Sequence, residues 1–190
     1  WYFAVSNEED VATLESESFG SSIKILYAPK TADELTAAIN KVHTAGGKQS
    51  LVISADVALN NDQFMVNKTD AEISLDLGGN VATLPQGISY TVPVDYLKEG
   101  TAYTRDFNAF TSANGVLTIS NGEVVSTGNS KYAISAIQSG TVNVNNVEIK
   151  NMKTDGSALR VFGKDAVMNV KATTLDFSSA LGIEVGSGKA

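Results

Sequence analysis

From Gly47 to the C-terminus, apolar and polar residues alternate in short runs broken by Gly, Asn, Asp and Ser. A period of two is the pattern of half-buried strands. The runs also recur at a longer period. Leu117-Thr118-Ile119, Val142-Asn143-Val144 and Met168-Asn169-Val170 are one in-out-in triplet at spacings of 25 and 26, and Val124, Ile149 and Leu175 repeat at the same spacings. A third triplet recurs as Ile134-Ser135-Ala136, Leu159-Arg160-Val161 and Ile183-Glu184-Val185, at spacings of 25 and 24. Three independent positions therefore keep one register across three copies.

Repeats of this length with three short strands each predict an all-β fold, a parallel β-helix. One coil cannot bury its apolar face alone, so coils stack into a continuous core. Earlier coils fit more loosely: Leu51-Val52-Ile53 and Ile73-Ser74-Leu75 imply a 22-residue step, with Val57, Leu59, Phe64 and Val66 between them. The irregular stretch from about Val81 to Asn114 reads as an insertion looping out of the stack. Upstream, Thr31-Ala32-Asp33-Glu34 is a capping box in which Glu34 reaches back to the Thr31 N–H. Leu35, Ala38, Ile39 and Val42 follow at helical spacing, and Gly46-Gly47 closes the helix. Residues 1–30 then form an arm and one strand, Ile23–Tyr27, ended by Pro29. Residues 31–190 form the β-helix domain, with a capping helix over 31–46.

The 190 residues carry 14 basic and 21 acidic side chains, a net charge of −7. That balance argues against nucleic acid, which needs a basic footprint, and against a polybasic membrane-surface module. No apolar run is long enough to span a bilayer. Charged residues make up 18%, below the roughly 25% of ordinary soluble domains, so the surface is rich in uncharged polar groups. There is no cysteine, which removes disulfides, thiolate metal sites and cysteine nucleophiles. The chain starts at Trp1 without a signal-peptide pattern, and reads as a processed chain or an excerpt.

The Thr31–Val42 helix, the segment Ile73-Ser74-Leu75-Asp76-Leu77-Gly78-Gly79-Asn80 and the three 24–26-residue coils together resemble the right-handed parallel β-helix superfamily typified by pectate lyases and phage tailspikes. The resemblance covers the chain from about Thr31 onward. It implies a helix plugging the N-terminal end of the solenoid. It is specific for fold and not for activity, because the superfamily includes lyases, hydrolases, adhesins and inert virion fibres.

Candidate chemistry follows from which residues face outward. Stacked coils lie about 4.8 Å apart, so Glu123 and Glu148, 25 residues apart, are outward neighbours. Such a pair fits an acid/base couple, half of a Ca²⁺ site, or two solvated acids that splay apart. The column Ser135, Arg160, Glu184 and the column Val125, Lys150, Asp176 place opposite charges on adjacent coils, a modest stabilising ladder. The superfamily's lyases pair an Arg or Lys base with an Asp cluster for Ca²⁺. Lys150, Lys153 and Arg160 are expected near one another here, but no such Asp cluster is visible. Asp56 and Asp76 follow strands and read as turn caps. His43, the single histidine, has no identifiable orienting acid. The insertion holds Tyr90, Tyr96, Tyr103, Phe107 and Phe110 together with Arg105. Of these, Tyr96, Tyr103, Arg105 and Phe107 form the candidate binding set, since loops on a rigid scaffold carry sites and such rings suit sugars or a protein partner.

The expected function is a non-enzymatic structural and adhesive protein. The resemblance points to a phage virion fibre or spike component, homotrimeric, contacting capsid or tail proteins or surface glycans. The alternatives are a secreted or surface-anchored bacterial adhesin and a polysaccharide lyase or glycoside hydrolase. No cofactor is expected beyond Ca²⁺ at Glu123 and Glu148.

Overall fold

The computed structural model describes residues 2–5, 24–31, 33–35, 47–59, 64–84, 89–92, 103–106, 108–127, 132–150, 152, 157–176 and 181–186. Within them lie strands β1 (Tyr2–Val5), β2 (Lys24–Tyr27), β3 (Lys48–Val52), β4 (Val57–Ala58), β5 (Phe64–Asp76), β6 (Val81–Leu84), β7 (Ser89–Val92) and β8 (Tyr103–Asp106). They continue as β9 (Asn108–Ser126), β10 (Tyr132–Ile137), β11 (Thr141–Lys150), β12 (Ser157–Phe162), β13 (Val167–Lys171), β14 (Thr174–Leu175) and β15 (Leu181–Gly186). All except β7 and β8 join one sheet of parallel pairs that winds into a β-solenoid. Four coils are complete, over residues 64–84, 108–126, 132–150 and 157–175.

The solenoid has three walls. Wall I stacks Val5, Tyr27, Leu51, Leu75, Ile119, Val144 and Val170 in register. Wall II stacks Val57, Ala82, Val124, Ile149 and Leu175. Wall III stacks Phe64, Phe110, Ile134, Leu159 and Ile183. Strand alternation sends every second residue inward. Leu75, Ile119 and Val144 meet Ala82, Val124, Ile149, Phe110, Ile134 and Leu159 in one continuous buried cluster. Burying each large aliphatic side chain contributes about 1.5–3 kcal/mol, and this is what holds the coils together. The cluster opens at the last coil, where Val170, Ile183 and Val185 are 44–49% exposed.

All three repeating sets read from the sequence pair in the expected register. The early step differs: Leu51 pairs with Leu75, not Ile73, so the coil there is 24 residues. A slip of two keeps the same residues inward, so alternation alone cannot choose between the two registers. Val81–Leu84 is a rung of wall II and Asn108–Asn114 belongs to wall III; among the described residues of the expected insertion, β7 and β8 stand off the stack as an antiparallel pair. Phe110, expected in the insertion, is fully buried core. A smaller irregularity lies in β5, where residues 68–71 bulge between walls III and I. Gly115 (φ 82°) lies opposite the bulge, and a Cβ there would come within 2.3 Å of the Lys68 carbonyl oxygen.

Half of the expected capping box forms. The Glu34 N–H donates to Thr31 Oγ1 at 3.2 Å and the Leu35 N–H to the Thr31 carbonyl at 3.0 Å. The Glu34 carboxylate takes the Lys30 N–H at 2.6 Å, one residue upstream of the expected donor. Asp33–Leu35 form a helical turn and Leu35 joins the core. Residues 36–46, which would complete a cap, lie outside the described residues. The turn also stands between two rungs of wall I, β2 and β3, rather than before the first rung.

Candidate functional site

The outward residues of wall I form polar ladders that run along the solenoid. Ser50, Ser74, Thr118, Asn143 and Asn169 share one column. Asn143 Nδ2 donates to Thr118 Oγ1 at 3.1 Å, and Asn169 Nδ2 donates to Asn143 Oδ1 at 2.9 Å. A second ladder follows the corner between walls I and II. Asn146 Nδ2 donates to Asn121 Oδ1 at 3.2 Å, and Asn121 Nδ2 donates to both Asp76 carboxylate oxygens at 3.2 Å. Asn121 (φ 58°), Asn146 (φ 55°) and Ala172 (φ 51°) are left-handed at this corner. Asn tolerates that conformation because its short amide bonds locally, whereas Ala is strained there. Asp76 also accepts the Gly78 N–H at 2.9 Å, and Asp56 accepts the Val81 N–H at 2.8 Å, the turn-capping roles expected of them.

On wall II, Glu148 pairs directly with Glu123. The ammonium of Lys150 lies 3.0 Å from a carboxylate oxygen of each. Lys150 reaches both because it stands two residues after Glu148 on the same outer face. Its pKa is raised, first by the hydrogen bond to Glu148 and then by that to Glu123. A resident ammonium thus occupies the position between the carboxylates where a bound cation would be expected, and it offsets their repulsion. A cleft of about 350 Å³ runs between this pair and the asparagine corner, lined by Gly79, Asn121, Glu123, Asn146, Glu148 and Thr174.

Wall III is different on its outside. Thr111 and Ser135 point away from the core by alternation, yet both are fully buried. Ala113 and Ile137 form a second apolar cluster apart from the main core. Arg160 and Glu184 stand in the Ser135 column and form an ion pair across adjacent coils, as the spacing predicts. Arg160 Nε is 3.7 Å from Glu184 Oε1, is buried and has no hydrogen-bond partner. The guanidinium carbon instead lies 4.3 Å from the centre of the Tyr132 ring and 4.8 Å from that of Phe162. Glu184 accepts from Ser157 Oγ at 3.3 Å. Phe162 is 42% exposed, although Tyr132 is buried. Neither ring is among the positions that the repeat singles out. Phe162 stands two residues after Arg160 on the same outer face, whereas Tyr132 belongs to the Ser157 column, which spacing does not connect with Arg160.

Of the binding residues expected in the insertion, Tyr103 and Arg105 lie on β8, with Arg105 in register with Tyr90 of β7. Tyr96 and Phe107 lie outside the described residues, as do His43 and Lys153. Lys150 stands at the end of wall II and Arg160 on wall III. Among the described residues, no group of three or more His, Cys, Asp or Glu is placed to hold a metal ion. No helix among them is long and apolar enough to cross a membrane.

These features define the chain as a parallel β-solenoid protein. Comparison with protein-family models, with curated proteins and with solved structures finds no match.

Proposed function

We propose that this solenoid is a non-enzymatic structural and adhesive module. The observation that carries the reading is the use to which the outward polar side chains are put. Those on wall I and its corner bond to one another along the axis, and the adjacent acids of wall II are held by Lys150. General acid/base or nucleophilic work needs a carboxylate free to exchange a proton with a substrate, commonly with a shifted pKa. Side chains tied into ladders instead stiffen a wall. A rigid, sparsely charged scaffold that carries a hairpin insertion suits holding a contact surface at a fixed distance.

The test is to incubate the full chain with a panel of neutral and acidic polysaccharides, measuring retention and newly formed chain ends together. Retention of at least one polysaccharide without new reducing or unsaturated ends is expected. Cleavage abolished by a single Glu or Lys substitution overturns the reading. The virion-fibre form of the proposal adds a requirement: light scattering must report three times the chain mass. A monomer would leave the surface-adhesin form.

A further inference from the structure

The outer surface of wall III changes character along the axis. At the coils of Thr111 and Ser135 it is fully buried, whereas one coil further on Phe162 emerges 42% exposed. Phe162 thus stands at a step, with Arg160 beside it and Glu184 on the next coil. The ring is held in place. Its one side takes the guanidinium at 4.8 Å. Gly186 of the next coil also lies close, and even a Cβ there would come within 2.8 Å of the ring. The guanidinium is fixed in turn against Tyr132. The result is a preoriented group of three: a flat apolar ring, a donor-only cation and an acceptor-only carboxylate, the latter two paired at 3.7 Å without a hydrogen bond from Arg160 Nε.

We propose that Phe162, Arg160 and Glu184 form a binding site for a neutral saccharide. This rests on the adhesive reading above and names its ligand class. Each hydroxyl of a sugar both donates and accepts, so neighbouring hydroxyls pair with a guanidinium and a carboxylate at once. The C–H face of a pyranose covers the exposed part of the ring, burying apolar area on both partners. The charges at the site offset each other and the chain carries a net −7, so a polyanionic glycan gains nothing there and is repelled overall.

The experiment titrates the full chain with maltohexaose, cellohexaose and mannohexaose, and with an oligogalacturonate as the acidic counterpart, by isothermal calorimetry. Binding of at least one neutral oligomer is expected. Phe162→Ala and Arg160→Gln should each weaken it roughly tenfold or more, while Lys150→Met on wall II leaves it unchanged. Phe162 is half exposed, so its truncation leaves the fold intact, which an unchanged melting temperature checks. Neutral binding indifferent to Phe162→Ala overturns the site and leaves the adhesive reading standing. Preference for the oligogalacturonate, lost in Arg160→Gln, overturns the neutral class. Failure of every oligomer to bind overturns the site, and the polysaccharide retention test then decides the adhesive reading separately.

Discussion

Wall I and wall III are built from the same in-out-in alternation, yet their outer surfaces have opposite characters. On wall I the outward column reads Ser74, Thr118, Asn143, Asn169 and reaches solvent, and Thr118, Asn143 and Asn169 bond to one another in a ladder. On wall III the outward residues Thr111, Ala113, Ser135 and Ile137 are buried, and the column becomes charged only where it emerges at Arg160 and Glu184. The difference teaches that alternation assigns a residue to a face but does not say whether that face meets water. A small hydroxyl residue suits both settings, which is why Ser74 and Ser135 look alike in the sequence and differ in the fold.

The sharpest way to break the comparison is to place a charge on each wall. Ser135→Asp buries a carboxylate and should cost on the order of 3 kcal/mol or more in urea unfolding. Thr118→Asp on wall I, where the side chain reaches solvent and can still accept from Asn143, should cost under about 1 kcal/mol. Equal costs would mean that the two outer surfaces are alike. A smaller effect of opposite sign is expected at the corner of wall I. Ala172 is the alanine in a column of left-handed asparagines, so Ala172→Asn should stabilise by about 1 kcal/mol and extend the Asn121–Asn146 ladder by one rung. An unchanged or lower unfolding midpoint would count against the ladder.

The smallest effect concerns Lys150. Its pKa is raised in the folded chain by Glu148 and Glu123, so its contribution is complete below the ordinary lysine range and is lost as pH climbs through the raised folded value. Lys150→Met should therefore lower the melting temperature slightly at neutral pH. The difference from the parent chain should close at strongly alkaline pH. A difference that persists there would show that the ammonium's charge is not what the position contributes.

Much of the fold was legible because inward residues recur at 24–26 positions. Leu117, Val142 and Met168 could be aligned from the sequence, as could Ile134, Leu159 and Ile183. The register of Leu51 was not, since a two-residue slip leaves the inward face unchanged. The limits of the insertion were blurred because Val81–Leu84 and Asn108–Asn114 are ordinary rungs whose partners lie across residues 85–107. At the candidate sites, the adjacency of Glu123 and Glu148 followed from spacing alone. Lys150 closing on both acids did not, because it depends on side-chain reach across coils and not on the column in which the residue stands. The Tyr132–Arg160–Phe162 stack was hidden for the same reason: its members occupy three different columns.

The most direct measurement uses the absence of cysteine from the chain. Single-cysteine variants Ser50→Cys on the exposed face of wall I and Ser135→Cys on wall III are reacted with a maleimide under native conditions. Labelling at position 50 at the rate of an unfolded thiol, with position 135 slower by roughly a hundredfold or more because it must await local opening, is the expected result. Comparable rates at the two positions would contradict the distinction between an open, ladder-bonded wall and a covered one.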